Sequence, residues 1–188
     1  MMLCLKQRLK KTLILLLLAV AIIVQSGCSE KDSVTANQTT KLFLNSTIVE
    51  PPDCITPVKT TVQVSNVANM QAVAFTLQFN PTQLQVLDTN SEKNGIQIAT
   101  GDVFSKQNSF EAINEVDPIN GIIKFAVVII GKNPINGEAN LDQITWQIQQ
   151  AGNSNLTFQE SELADPDGNP ISTEINNGVL NISSACSQ

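Results

Sequence analysis

The first candidates for chemistry are oxygen-bearing side chains at alternate positions near the end of the chain. Asp165, Asp167 and Asn169 stand in the stretch ADPDGNP, and this spacing is typical of a calcium-binding loop. The stretch lacks the downstream glutamate that completes an EF-hand. A plain turn is therefore the favoured interpretation, and a weak calcium site is the alternative.

The composition gives little support to catalysis. The 188-residue chain contains no histidine and no tyrosine, so the commonest general base and metal ligand is missing. The serines have no base partner in any recognisable pattern, and the carboxylates are scattered over predicted loops without an acid/base pair. The sequence predicts a protein that is not an enzyme and that uses no cofactor.

The N-terminal segment predicts export and a lipid anchor. Four basic residues open the chain: Lys6, Arg8, Lys10 and Lys11. An apolar run from Leu13 to Val24 follows, and Ser26-Gly27-Cys28 closes it, which is the pattern of a bacterial lipoprotein signal peptide. Cleavage would leave the lipid on Cys28, and Ser29 implies, by resemblance to such lipoproteins, sorting to the outer membrane or cell surface. An uncleaved membrane anchor is the alternative, but the apolar run falls well short of the roughly 20 residues that span a bilayer.

The rest of the chain divides into a tether and one domain. Residues 28–40 are rich in Ser, Thr, Asn and Gln, which predicts a flexible tether. Residues 41–188 are numerous enough for one domain with its own core. The signal peptide, residues 1–27, holds four of the 11 basic residues and none of the 17 acidic ones, so the remainder carries a formal charge of −10. This charge argues against a nucleic-acid partner.

The elements that would position any functional side chain are β-strands. Val58 to Val64 and Val73 to Phe79 alternate apolar with polar residues, as a half-buried strand requires because successive side chains leave opposite faces. Asn66 to Gln71 is the predicted connection between them. Asn80-Pro81 ends the second strand, since proline cannot donate to the sheet, and a third strand begins at Leu84.

The second half of the chain also consists of predicted strands, of which Ile122 to Ile130 is a nearly unbroken apolar run. Four more strands are predicted: Ile122 to Ile130, Ala139 to Gln149, Leu156 to Phe158 and Ile175 to Ile182. Asn94 to Phe110 is irregular, and its Phe104 and Phe110 are candidates to plug one end of a sandwich. No segment has a convincing amphipathic helical pattern. The chain is therefore predicted to be an all-β sandwich or barrel.

The stretch from Val58 to Asp88 resembles a cohesin domain. Cohesins are jelly-roll-like modules of about nine strands in bacterial scaffolding proteins. The residues that match their early strands are Val62, Val64, Asn66, Val67, Phe79, Asn80, Pro81, Leu84 and Val86, with Asn80 where the family has Asp. The similarity covers roughly Lys41 to Ile182 and implies a single jelly-roll-like β-sandwich.

The resemblance also bears on the two remaining cysteines, Cys54 and Cys186. An exported chain with two cysteines usually pairs them. In the cohesin fold the first and last strands run side by side and parallel, so the downstream ends of Lys41 to Ile48 and Gly178 to Ser183 would meet. A Cys54–Cys186 disulfide is expected, and two unpaired buried thiols are the alternative.

In cohesins, the outward face of one sheet receives a dockerin, a small calcium-loaded helical module. The matching positions here are Ala72, Ala74, Thr76, Gln78, Asn80, Lys124, Ala126 and Val128. An apolar patch rimmed by Gln and Lys favours a protein partner. The resemblance therefore implies a non-catalytic binding module for a dockerin-like protein. The alternative for this face is that the chain's own segment, Asn94 to Phe110, covers it.

Two other functions stay open at this point. Cohesins share their fold with carbohydrate-binding modules, which act with polysaccharide-degrading enzymes and stack exposed aromatic rings on sugars. The chain has seven Phe and one Trp, and Phe75, Phe79 and Trp146 fall on inward positions of their strands, so few rings remain for a polysaccharide platform. A purely structural envelope lipoprotein is the other alternative.

Overall fold

The computed structural model describes residues 38–45, 48–49 and 56–182. Its strands are β1 (Thr40–Leu44), β2 (Ile48–Val49), β3 (Val58–Met70), β4 (Ala72–Gln78), β5 (Leu84–Val86), β6 (Ala99–Thr100), β7 (Ser109–Asp117), β8 (Ile122–Ile129), β9 (Ile135–Ile148), β10 (Gly152–Ala164), β11 (Thr173–Asn176) and β12 (Gly178–Ile182), and its short helix is α1 (Asp102–Ser105). The signal peptide, most of the tether, Cys28, Cys54 and Cys186 lie outside these residues. Within them, no helix has the length and apolar character needed to cross a membrane.

The strands form two sheets that pack face to face. One sheet has the order β11-β1-β3-β9-β5, with β6 also pairing with β9, and the other has the order β2-β12-β10-β4-β8-β7. The side chains between the sheets form one buried apolar core. The predicted all-β, jelly-roll-like sandwich is confirmed.

The inward positions predicted from alternation lie in this core. Phe75 is buried against Phe125 and Phe158 at centroid distances of 5.3 and 5.6 Å. Trp146 is buried in an edge-to-face contact with Phe79, with ring centroids 5.2 Å apart, and its indole N–H donates to the Thr60 hydroxyl at 2.9 Å. The one polar atom of the indole is thus satisfied, as a buried donor requires.

Each terminal strand of the prediction is divided into two in the structure. β1 pairs in parallel with β11 in one sheet, and β2 pairs in parallel with β12 in the other. The predicted parallel pairing of the two ends is confirmed, but both ends cross from one sheet to the other. The crossing at Asn177 is held by its side-chain oxygen, which accepts from the Phe158 N–H at 2.9 Å.

The predicted loop from Asn66 to Gln71 is wrong. β3 continues to Met70, and its pairing with β9 shifts register between Val64 and Val67 and again between Val67 and Met70. Asn66 and Asn69 have φ of 54° and 56° at these bulges. Asparagine tolerates this left-handed conformation better than most residues, so the strand bends without ending.

Two strands differ from the prediction on the sheet that carries the candidate face. β10 spans 13 residues rather than the short Leu156 to Phe158, and β7 occupies a segment for which no strand was predicted. Phe104 is buried, as expected of a plug, but the expectation for Phe110 is wrong because it is 59% exposed on β7.

Candidate functional site

Strands β10, β4, β8 and β7 present one continuous outer face. Their pairing registers align outward residues in rows across the four strands. In the strand order β10, β4, β8, β7, the rows are Thr157–Gln78–Ile122–Asp117, Glu160–Thr76–Lys124–Glu115, Glu162–Ala74–Ala126–Ile113 and Ala164–Ala72–Val128–Phe110. We call this surface the outer face.

The outer face contains seven of the eight predicted partner-binding residues. Ala72, Ala74, Thr76 and Gln78 lie on β4, and Lys124, Ala126 and Val128 lie on β8. All seven are exposed or half-buried. The outward register predicted for both strands is therefore the one that the structure has.

The outer face changes character from one end to the other. The last two rows are apolar except for Glu162, and the large side chains among them are well exposed, with Phe110 at 59%, Ile113 at 42% and Val128 at 41%. The first two rows carry the charges of Lys124 and of acidic residues on β10 and β7. The face therefore has an apolar end and a charged end.

A depression of about 420 Å³ lies over the middle of the outer face. Ala74 and Ala126 form its floor, because alanine has no side-chain atoms beyond Cβ. Glu160 and Glu162 border it on the β10 side and Ile113 on the β7 side. The arrangement is a shallow trough over the two middle rows of the face, with Lys124 also in its lining, an acidic wall on β10 and an apolar wall at Ile113.

The alternative in which Asn94 to Phe110 covers this face is wrong for the contacts that the structure describes. The Asn114 side chain hydrogen-bonds both the N–H and the carbonyl of Ile98, at 3.0 and 2.9 Å. The Val116 N–H donates to the Ile96 carbonyl at 3.1 Å. Asn114 and Val116 alternate along β7 with the outward residues, so this segment packs against the opposite side of β7 and leaves the outer face open.

Glu111, on β7, also binds side chains of the preceding segment, at Lys93 and Thr100. Its carboxylate accepts from Lys93 at 2.6 Å, from the Thr100 hydroxyl and from Asn114 at 3.0 Å. Partial burial opposes ionisation, but these hydrogen bonds together outweigh it and lower the pKa of Glu111. The negative charge is therefore maintained at neutral pH and holds β7 in position.

The eighth predicted residue, Asn80, lies beyond the end of the outer face. Its side-chain oxygen accepts from the Thr82 N–H at 3.0 Å and hydroxyl at 2.8 Å, and its amide donates to Gln83 at 3.1 Å. The side chain closes the turn after β4, which is a common use of asparagine. Its role as a partner contact stays a prediction.

The candidate calcium loop is folded as a tight turn. The Asp165 carboxylate accepts from the Asp167 and Asn169 N–H groups at 2.9 and 2.8 Å and from the Asn169 amide. The side-chain bond from Asn169, followed by the backbone bonds, lowers the pKa of Asp165. These bonds account for the spacing of the three residues as turn chemistry, and the calcium site stays a prediction.

The walls of the trough were missed by the sequence reasoning. β7 has a register shift between Glu111 and Ile113, and β10 has one between Phe158 and Glu160. An extra residue at each bulge breaks the period of two on which strand prediction depends. A search for alternation that tolerates one inserted residue would have extended β10 to Leu163, whereas β7 has no buried residue and gives no such signal.

The fold and the open face define a class of protein: a two-sheet, jelly-roll-like β-sandwich module with one sheet face exposed. The family model for the cohesin domain matches residues 56–182, which is more than half of the 188 residues. The chain therefore belongs to the cohesin domain family.

Solved structures agree with this assignment. A non-cellulosomal cohesin from the archaeon Archaeoglobus fulgidus is similar at a TM-score of 0.61 and 19% identity, covering 78% of this chain and 93% of that one. A type II cohesin in a Cohesin-X-Dockerin complex from Acetivibrio cellulolyticus matches at 0.63 and 14% identity, covering 77% and 99%. A type I cohesin in a cohesin–dockerin complex from Clostridium thermocellum matches at 0.60 and 15% identity, covering 78% and 100%. At these identities the similarity establishes the fold, and no curated protein matches the chain.

Proposed function

We propose that this protein is a non-catalytic binding module whose outer face binds a dockerin-like helical protein. The observation that carries the proposal is the continuous exposed apolar end of that face, formed by Phe110, Ile113 and Val128 around the small alanines. Soluble proteins rarely expose such groups together unless a partner covers them.

The composition of the face fits a protein partner. Aromatic and aliphatic side chains occupy one end, and charged residues surround them, as in protein–protein interfaces with an apolar centre and a polar rim. Family membership supports the same partner class, since two of the similar structures are complexes of cohesins with dockerins. Purified type I and type II dockerin modules, the classes of partner in those complexes, are therefore the appropriate probes.

Polysaccharide binding has less support. Six of the eight aromatic rings are buried: Phe75, Phe79, Phe104, Phe125, Trp146 and Phe158. Of the other two, Phe43 is half-buried on β1 and Phe110 is exposed on β7. These strands belong to different sheets, so the two rings do not form a common platform for a glycan chain.

We expect Ala74→Lys to weaken partner binding about 100-fold, because the lysine side chain would stand up from the floor of the outer face and prevent close packing of a partner against the alanines. Ala74 is exposed, and cross-strand pairing places it beside Glu162, so the variant is expected to keep its fold. Binding of purified type I and type II dockerin modules, with calcium and with chelator, measures the effect.

Ala151→Lys is the matched control, since Ala151 is exposed in the connection between β9 and β10. It makes the same chemical change away from the outer face and is expected to bind like the parent. Failure of the parent to bind any dockerin module, or equal binding by the two lysine variants, would contradict the proposed function.

We further propose that the domain is held at the cell envelope by a lipid on Cys28, with Ser29 directing it to the outer membrane or surface. This proposal is supported by the signal-peptide pattern described above. We expect Cys28→Ser to leave the precursor unprocessed and without lipid, whereas Cys4→Ser, within the signal, matures normally. Mass spectrometry of the exported protein detects processing and lipid in both variants, and lipid on the Cys28→Ser variant would contradict the anchor assignment.

The Cys54–Cys186 disulfide also stays a prediction.

A further inference from the structure

Four Asn-Gly sequences give this chain four candidate sites for a spontaneous modification. They are Asn94-Gly95, Asn120-Gly121, Asn136-Gly137 and Asn177-Gly178. At such a pair the backbone nitrogen of glycine attacks the side-chain carbonyl carbon of asparagine and expels ammonia, which closes a succinimide ring. Water then opens the ring at either carbonyl and leaves aspartate or isoaspartate. Glycine permits this attack because it has no Cβ and an unrestricted backbone.

Two of the four asparagines are held by hydrogen bonds of their side chains. The Asn136 side-chain oxygen accepts from the Asn69 N–H at 2.9 Å, and its amide donates to the Pro134 carbonyl at 3.2 Å. The Asn177 side-chain oxygen accepts from the Phe158 N–H at 2.9 Å. Neither side chain can turn towards the following nitrogen without breaking these bonds.

The pair Asn120-Gly121 is held at both reacting groups. The Asn120 amide donates to the Asp117 carboxylate at 2.7 Å, and the Gly121 N–H donates to the Asp117 carbonyl at 3.0 Å. Reaction at any of these three pairs therefore requires local opening of the fold, which costs free energy in strands and in the turns that join them.

Asn94-Gly95 lacks this protection. Both residues are exposed. Within the described part of the chain, neither the Asn94 side chain nor the Gly95 N–H has a hydrogen-bond partner. A Cβ built at Gly95 would meet no atom closer than 3.5 Å, so the pair has room to change conformation. The two reacting groups can therefore meet while the domain stays folded.

We propose that Asn94 is the deamidation site of the folded protein. The net reaction consumes one water, releases one ammonia and converts a neutral amide into a carboxylate that is ionised at neutral pH. The new charge stands next in sequence to Lys93, whose ammonium binds the Glu111 carboxylate at 2.6 Å. The reaction needs no enzyme and no cofactor, and the inference is independent of the proposed function.

Isoaspartate at this position also lengthens the main chain by one carbon, because the backbone then runs through the side-chain carbonyl. The Asn94 carbonyl accepts from the Gln97 side chain at 2.9 Å. Ile96 and Ile98, which follow directly, make backbone hydrogen bonds that hold this segment to β7. A longer main chain displaces these contacts, so the isoaspartate form is less stable than the unmodified chain.

The test is peptide mapping by mass spectrometry of the full chain after incubation in mildly alkaline buffer, which favours loss of the glycine amide proton. We expect deamidation at Asn94 to be at least about 10-fold faster than at Asn120, Asn136 or Asn177, because those three require local opening first. Incubation in concentrated urea is the matched control. It removes the fold, so the four pairs should then react at similar rates.

Equal rates at the four pairs in the folded protein, or a faster rate at any pair other than Asn94-Gly95, would overturn the site assignment. The effect on the main chain has its own control in Asn94→Asp, which carries the new charge on a backbone of normal length. Urea unfolding should show the separated isoaspartate form to be less stable than this variant. Equal stability of the two would refute the displacement of the segment on β7.

Discussion

Replacing Gly121 with alanine is expected to destabilise the domain by about 3 kcal/mol, because two costs add at this position. Gly121 has φ of +68°, a left-handed conformation that an L-side chain disfavours. A Cβ there would lie 2.2 Å from the Phe79 carbonyl oxygen and 2.8 Å from Pro81. The Phe79 N–H also donates to the Gly121 carbonyl at 2.9 Å, so relief of the collision would separate β4 from β8 where the outer face begins.

Gly168→Ala is the matched control for this variant. Gly168 has φ of +80°, but no atom lies within 4 Å of a Cβ built there, so it carries the conformational cost alone. Urea unfolding measures the free energy of unfolding of each variant, and the difference between the two losses of stability is the cost of the collision. Equal destabilisation of the two would show that the contact between Gly121 and Phe79 relaxes freely.

The strands of the core were predictable from two kinds of apolar pattern. Val73 to Phe79 alternates and so shows its inward residues in the sequence, and those residues are buried. Ile122 to Ile130 is a nearly unbroken apolar run, so it was predictable as a strand, and its outward residues followed from the resemblance to cohesins. Trp146 could be placed in the core by alternation. Alternation records which face of a strand is buried, so it predicts the core directly.

The bulged strands were not predictable in the same way. Asn66 and Asn69 look like turn residues, and only the pairing with β9 shows that the chain continues as a strand through them. Phe110 was predicted to plug one end of the sandwich on hydrophobicity alone, but it lies at an outward position of β7, in the same row as Val128. Hydrophobicity indicates which residues favour burial, but the register of the strand decides which of them are buried.

The two central strands of the candidate face were therefore predictable from the sequence, and its two flanking strands were not. Its β4 and β8 residues followed from the resemblance to cohesins and from their outward register. Its walls, including Glu160, Glu162 and Ile113, depend on cross-strand alignment between residues that are distant in sequence. That alignment forms only when both bulged strands pair with their neighbours in the sheet. The residues of the two walls then determine how wide the surface is and where its charges lie.

Asp142 shows how a bulge also changes the core. The register shift between Val62 and Gln63, opposite it, leaves both Leu141 and Asp142 buried, where alternation would expose one of them. Neither carboxylate oxygen of Asp142 has a hydrogen-bond partner of normal geometry. Burial raises the pKa of Asp142 well above its ordinary value, and the Val62 N–H opposes this only weakly.

This burial predicts that Asp142→Asn stabilises the domain, and that the gain depends on pH. The pKa of Asp142 is higher in the folded than in the unfolded chain, so the folded state binds more protons and stability falls as pH rises above the ordinary value of 3.8. An amide of the same shape does not ionise. We expect the variant to be more stable than the parent by about 2 kcal/mol at pH 7, because an unsatisfied carboxylate costs more to bury than an unsatisfied neutral amide, and we expect this gain to shrink towards zero below pH 3.8.

Asp165→Asn gives the opposite sign and serves as the control. The hydrogen bonds from Asn169 lower the pKa of Asp165, so its carboxylate contributes stability above the ordinary pKa and loses it as the pH falls. Asp165→Asn should therefore be less stable than the parent at pH 7, with the difference fading in acid. Urea unfolding from pH 3 to pH 8 compares the three proteins. A constant offset for Asp142→Asn across that range would mean that Asp142 does not change ionisation on folding, and its effect would then be one of packing alone.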